Sequence, residues 1–210
     1  MRTGRFLLPL IAFVVIYMVF VLWIDRPIAL WAHQHLLYTQ LYDVCIKIQN
    51  WLSTAHWGIL AILTLCITTS LALTGKTRNA KRWALFSFSI IVALIICLVC
   101  KVVLGRYRPV MLFEHHQYGF HFFATKHNLV SSPSGHATAA FAGLYALAMV
   151  IKRNWITVLL MIVATVIALS RIVVTAHYPS DVIFGAYIGI LTPVYLVHFF
   201  PKLLGVHSHV

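Results

Sequence analysis

The sequence predicts an all-α protein, a bundle of six transmembrane helices with an amphipathic interfacial helix between spans one and two. Three observations lead there. The 210 residues are 61% hydrophobic and only 10% charged, with a mean hydropathy of +0.91, more apolar than one soluble core of this size requires. The apolar residues gather into six stretches near the roughly 20 residues that cross a bilayer as a helix. The charged residues fall at the ends of those stretches or between them. The expected spans, forming one integral membrane domain over residues 1–210, are about 6–24, 57–74, 83–100, 134–151, 155–174 and 182–200.

The first span follows Arg2 and Arg5, as a signal peptide's apolar region would. It is longer than such a region and ends at Trp23 and Asp25 without a small-residue cleavage site, so it is read as a retained helix. The net charge of +12 would suggest nucleic acid in a soluble chain; in a membrane chain the count runs loop by loop, and no nucleic-acid partner is expected. With a cytoplasmic N-terminus, nine Lys and Arg lie inside (Arg2, Arg5, Lys76, Arg78, Lys81, Arg82, Lys152, Arg153, Lys202) and seven outside, together with all four acids, Asp25, Asp43, Glu114 and Asp181. The short second and fourth loops are purely basic, which places both termini in the cytoplasm.

Between the first two spans, Leu30, Leu37, Leu41, Val44, Ile48 and Trp51 recur at helical spacing amid polar residues. This predicts an amphipathic helix within Pro27–Thr54, lying in the outer interface and serving either to guide a lipid or to cap the bundle. Gly75–Arg82 is a short basic loop that anchors the inner face. The third connection, Lys101–Pro133, is long and crowded with Arg, Lys, His and aromatic residues; loops beyond about 15 residues are usually functional or disordered. The fourth span is rich in alanine, and the sixth carries Gly185 and Gly189 in G-x-x-x-G spacing, so these two are expected to pack closely at the centre. Pro193 is expected to kink the sixth. Cys66, Cys97 and Cys100 lie in spans and Cys45 stands alone, so the cysteines read as packing residues.

Three polar clusters remain: K-V-V-L-G-R-Y-R-P at Lys101–Pro109, P-S-G-H at Pro133–His136, and S-R-I-V-V-T-A-H-Y-P-S-D at Ser170–Asp181. In a six-helix serpentine, the ends of spans three and five and the starts of spans four and six share one face, so all three clusters converge there. Lys101 and Arg108 are seven residues apart, nearly two turns, and share a helix face if the helix continues past Gly105, although Pro109 disfavours helix at Arg108. Taken alone, the pair also suits snorkelling anchors. Ser132 can cap the fourth helix and Pro133 suits its first turn, leaving the amides of Ser134 and Gly135 as anion-binding donors, with His136 able to carry a proton. Arg171 offers a planar fork for two phosphate oxygens. His177 and Asp181 are four apart across Pro179, where a new helix starts, so the carboxylate reaches one imidazole nitrogen and leaves the other free as a nucleophile. A structural His–Asp pair would share that spacing but would not explain the cations converging on it.

Lys101 with six residues before Arg108-Pro109, then Pro133-Ser134-Gly135-His136, then Ser170-Arg171 with five residues before His177 and three before Asp181, resembles the complete signature of the type 2 phosphatidic acid phosphatase superfamily, whose site is similar to those of vanadium haloperoxidases and glucose 6-phosphatase. The resemblance spans residues 101–181. It implies that His177 attacks phosphorus and becomes a phosphohistidine, that Asp181 orients it, that His136 protonates the departing oxygen, and that Lys101, Arg108, Ser134, Gly135 and Arg171 hold the phosphoryl oxygens. Independently, phosphoryl transfer needs mainly positioning and charge stabilisation. No cofactor and no metal is expected: His115, His116, His121 and His127 have only Glu114 nearby, and magnesium favours carboxylates.

The expected activity is metal-independent hydrolysis of a membrane lipid phosphate or diphosphate at the outer face of a bacterial inner membrane. Undecaprenyl diphosphate comes first among substrates, then phosphatidylglycerophosphate and phosphatidic acid. A lipid A phosphatase and a lipid phosphotransferase are the alternatives within the class. An anion transporter or channel is the alternative outside it; charges in mid-span would favour that, and here they sit at span ends.

Overall fold

The computed structural model describes residues 4–201, with side chains from residue 8 onward. The described residues are helical, apart from loops and one isolated antiparallel bridge between Arg106 and Phe120. The helices are α1 (Gly4–Val19), α2 (Asp25–His35), α3 (Gln40–Trp51), α4 (Thr54–Leu73), α5 (Thr77–Leu104), α6 (Pro109–His115), α7 (Gly135–Ile151), α8 (Asn154–Val173) and α9 (Pro179–Phe199). Arg2 and Lys202, counted toward the cytoplasmic charge, lie outside the described residues, as does the side chain of Arg5.

Among the described residues, five helical stretches are long and apolar enough to cross a membrane: Leu8–His35, Gln40–Leu73, Thr77–Leu104, Asn154–Val173 and Pro179–Phe199. The stretch expected as the fourth span, α7, is apolar but only 17 residues long, about 25 Å at 1.5 Å per residue.

The expected interfacial helix over 27–54 does not exist as one element. Its first part continues the first span: α1 passes through a π turn at Phe20–Ile24, where the Asp25 amide bonds the Phe20 carbonyl, directly into α2. The chain then breaks at Tyr38, which takes a positive φ of 62°. Thr39 starts α3 by accepting the Tyr42 amide on its hydroxyl, a standard N-cap contact. The hydropathy drop at Asp25 marks a change of environment; backbone hydrogen bonding carries on through it. Helix α5 likewise absorbs most of the basic loop expected at 75–82, so Arg78, Lys81 and Arg82 stand on its first turns.

Helix α7 sits at the centre, as its composition predicts. Ala137, Ala139, Ala140, Ala142 and Ala146 are fully buried, and α7 packs against α4, α5, α8 and α9. The G-x-x-x-G spacing of α9 has a steric basis. A β-carbon on Gly185 would lie 2.6 Å from the Ser134 carbonyl oxygen, and one on Gly189 would lie 2.6 Å from Phe141 Cβ. Only hydrogen at both positions lets α9 approach so near. Because Ser134 and Asp181 sit at the tops of these two helices, that close approach sets the dimensions of the site above it.

Candidate active site

The end of α5, the start of α7, the end of α8 and the start of α9 meet at one end of the bundle, and each brings polar residues. Helix α5 stops at Leu104 because Gly105 takes the left-handed conformation, φ 52°, ψ 52°. A β-carbon there would lie 2.0 Å from the His121 carbonyl oxygen, so the position admits glycine alone without rearrangement. This break corrects the expectation that Lys101 and Arg108 share a helix face. Arg108 precedes α6 in an extended conformation, and the two cations come from different elements. Lys101 Nζ donates to the carbonyls of Val130 (2.9 Å) and Ser131 (3.3 Å). Arg108 Nε donates to the His127 carbonyl (2.8 Å) and Nη1 to that of Ala176 (3.1 Å). Both therefore also fasten the loops that carry the site.

The P-S-G-H turn differs from expectation in its capping. Ser134, with non-helical backbone angles, is the N-cap residue of α7, while the Ser132 hydroxyl pairs with Tyr17 Oη at 3.0 Å. The Ser132–Pro133 peptide bond is cis. The Ser134 amide donates to the Asp181 carbonyl at 2.9 Å, so it is not a free anion donor. Its hydroxyl is: Ser134 Oγ is buried with no partner among the described residues, as are His136 Nε2 and Arg171 Nε and Nη1. The His136 imidazole is held by the main chain of Gln49 on α3 and lies in the field of Arg171, Lys101 and Arg108.

His177 and Asp181 meet as their spacing predicts. His177 Nδ1 lies 3.5 Å from Asp181 Oδ2 and 3.5 Å from Ser131 Oγ. The same Oδ2 accepts the Ser131 hydroxyl (2.5 Å) and the Tyr178 amide (2.9 Å), so Asp181 caps its own helix while it orients the imidazole. The turn that places His177 is held by its amide (3.3 Å) and that of Ala176 (3.0 Å), both bonded to the Arg171 carbonyl. Burial pushes the His177 pKa well below its ordinary 6.5; Arg108 and Lys101 push the same way, and Asp181 opposes them. Burial therefore disfavours the charged ring, and Nδ1 is the nitrogen that faces Asp181 and Ser131.

Four residues that sequence reasoning passed over complete the site. Arg106, fully buried, donates from Nη1 to Asp181 Oδ1 (2.6 Å) and from Nη2 to Asp25 Oδ2 (2.6 Å). Ser180 accepts from Arg106 Nη1 and donates its amide and hydroxyl to Asp25 at 3.0 and 2.6 Å. Ser131 bridges Asp181 and His177. The only sequence signal was statistical: Asp25 is one of four acids in the chain, and an acid at a span end invites a search for a buried partner. The histidines of the third connection make no metal cluster; among the described residues no three His, Cys, Asp or Glu side chains gather at one point.

A family model described as the PAP2 superfamily matches residues 82–204, a range that contains all three clusters. A lipid A 1-phosphatase of Rhizobium johnstonii is 30% identical over 131 residues, 57% of this chain and 53% of that protein. A lipid A 1-phosphatase of Rhizobium etli is 34% identical over 98 residues, 45% of this chain and 41% of that one. The chain thus matches about half the length of these curated relatives. The crystal structure of a transmembrane PAP2-type phosphatidylglycerolphosphate phosphatase from Bacillus subtilis is similar with a TM-score of 0.56 at 16% identity, covering 92% of this chain and 96% of that one, which supports the fold.

Proposed function

This chain belongs to the PAP2 superfamily, and from that premise we propose that it hydrolyses a phosphate or diphosphate carried on a membrane lipid, through a phosphohistidine at His177. One observation carries the reading: four buried polar atoms on Ser134, His136 and Arg171 lack partners among the described residues, on the helix ends that also present a neutral His177. A phosphoryl group would satisfy the donors among them, and unsatisfied buried polar groups cost about 1–3 kcal/mol each. In the first step Nε2 of His177 forms a bond to phosphorus. The bond from phosphorus to the leaving oxygen breaks, its electron pair departs with that oxygen, and His136 supplies the proton. In the second step water attacks phosphorus, gives a proton to His136 and frees the His177 nitrogen. Lys101, Arg108, Arg171, Ser134 and the Gly135 amide hold the phosphoryl oxygens, and the positive charge that stabilises them comes from side chains in the role a metal would otherwise take.

The names of the Rhizobium relatives move a phosphate of lipid A ahead of undecaprenyl diphosphate, with phosphatidylglycerophosphate and phosphatidic acid behind them. The deciding experiment presents purified protein with these four lipids in detergent micelles, with and without excess chelator, and measures released orthophosphate. Release from at least one lipid, unchanged by chelator, is expected. Loss of release in chelator and its return with magnesium would overturn the metal-free reading, and transfer of phosphate to a second lipid in place of release would make the protein a phosphotransferase.

In the membrane, α7 serves as a short sixth span, α3 lies in the outer interface, both termini are cytoplasmic, and the site opens on the periplasmic face of an inner membrane. The basic residues at the start of α5, including Arg78 and Arg82, support that orientation. With Cys45, Cys66, Cys97 and Cys100 replaced, a single cysteine at Gln117 should react with an impermeant thiol reagent in intact cells, and one at Thr77 only after lysis; both positions are exposed. The reverse pattern would move the site to the cytoplasm.

A further inference from the structure

The π turn at Phe20–Ile24 has a consequence for the site. Tyr17, Val21, Asp25, Ala29 and Ala32 are all buried, a spacing of mostly four residues. On a straight α-helix of 3.6 residues per turn, that spacing drifts around the axis; one wide turn restores the register, and π turns concentrate at functional sites. Here it delivers a carboxylate into the interior. The Tyr118 hydroxyl donates to the Val21 carbonyl within the wide turn and accepts from Arg106 Nη2 at 3.2 Å. Arg106 is further enclosed by the rings of Tyr178, Phe120 and Tyr118, 4.7–5.6 Å from its guanidinium carbon.

Asp25, Arg106 and Asp181 thus form a buried row of carboxylate, guanidinium and carboxylate. Arginine is always charged. Asp25 accepts the Ser180 amide on Oδ1 and the Arg106 guanidinium on Oδ2, and the fixed positive charge beside it favours the ionised carboxylate. The row therefore carries one negative charge in excess. When His177 bonds to phosphorus its ring becomes cationic, and row plus ring then sum to zero. Without Asp25 the row would be neutral beforehand and would leave the imidazolium unbalanced in a low-dielectric interior, where such charge matters most.

We propose that Asp25 and Arg106 are positioning residues for the nucleophile: Arg106 fixes the orientation of Asp181, and Asp25 occupies the other side of the guanidinium so that Asp181 keeps its charge for the cationic His177. This rests on the phosphohistidine reading above. It makes the docking of the first membrane helix a condition for chemistry.

The test is Asp25→Asn in the full-length protein, with Tyr118→Phe as a milder variant that retains the ring and loosens Arg106. Outer-shell partners of metal ligands, which act by orienting another side chain as Asp25 does, typically matter about 10- to 100-fold, so Asp25→Asn should lower kcat by about that factor, and Tyr118→Phe by less, with KM little changed. Inhibition by vanadate, which resembles the five-coordinate transition state, should weaken in step with the rate, and inhibition by orthophosphate should not. The ratio of the two inhibition constants does not depend on how much protein is folded, so it is readable even if the substitution destabilises the bundle. Should Asp25→Asn give no folded protein, the ratio in Tyr118→Phe decides. An active wild type with an unchanged ratio in the variants, or with vanadate and orthophosphate weakened equally, would overturn the inference and leave Asp25 a packing role. A wild type that releases no phosphate from any lipid would instead overturn the underlying reading.

Discussion

His177→Ala is expected to abolish phosphate release from every lipid phosphate, by at least roughly 10⁴-fold, the scale on which covalent catalysts lose their nucleophile. The ring is 3% exposed, and its neighbours Ser131 and Asp181 offer no substitute nucleophile, since both are committed to the hydrogen bonds around Asp181 Oδ2. The same geometry sets the pH dependence. A pKa driven well below 6.5 by burial and by Arg108 and Lys101 means that the neutral, nucleophilic ring persists as pH falls through 6.5. Protonation of the free enzyme at His177 removes activity only at lower pH. The acid limb of kcat/KM is therefore expected below 6.5, apart from the substrate's own phosphate ionisation near about 6. Residual turnover in His177→Ala above roughly 10⁻⁴ of wild type, or a His177-dependent acid limb above pH 6.5, would contradict this assignment.

The geometry of this site was legible where its parts are close in sequence. His177 and Asp181 are four residues apart, and Pro179 between them starts a helix, so local geometry sufficed to pair them. P-S-G-H and Arg171 were legible as types of group at helix ends, and the structure leaves a hydroxyl, an imidazole nitrogen and a guanidinium there buried without partners among the described residues. What failed depended on partners far away in the chain. Arg106 reaches Asp25 across 81 residues and Asp181 across 75, and nothing local distinguishes Arg106 from its neighbour Arg108. The Ser134 amide looked free because its acceptor, the Asp181 carbonyl, belongs to another helix.

The fold shows the same division. Helix positions followed from hydropathy within a few residues for α4, α7, α8 and α9, because each begins or ends where apolar sequence does. Hydropathy misplaced the breaks that backbone geometry controls. It stopped the first helix at Asp25, where a π turn and the Arg106 guanidinium keep the helix going with its carboxylate inward. It ran one helix through Tyr38, where the chain turns with positive φ. It ended the third span near residue 100, and the shared face of Lys101 and Arg108 required α5 to run past Gly105, whose left-handed conformation ends it against the His121 carbonyl. At Asp25 and at Gly105 the contact comes from a segment that a sliding window does not see, Arg106 in the first case and His121 in the second.

His136→Ala is expected to separate two classes of substrate. The imidazole rests against the Gln49 main chain and leaves Nε2 buried and unpartnered, where a bound phosphate's negative charge would favour the protonated ring and make Nε2 a donor. The value of that proton depends on the leaving oxygen. An alkoxide leaving from a phosphate monoester has a conjugate-acid pKa of roughly 16, near that of water, whereas a lipid phosphate leaving from a diphosphate has a second pKa of about 6. General acid catalysis contributes about 10²- to 10⁴-fold, so monoester hydrolysis should fall by that range in His136→Ala. Diphosphate hydrolysis should fall by ~10- to 100-fold less. The comparison needs matched mono- and diphosphate forms of one lipid, assayed for released phosphate with both proteins. Equal losses on the two forms would mean that His136 holds the phosphoryl group beside Arg171 and Ser134 and donates no proton, leaving water in the cleft as the acid.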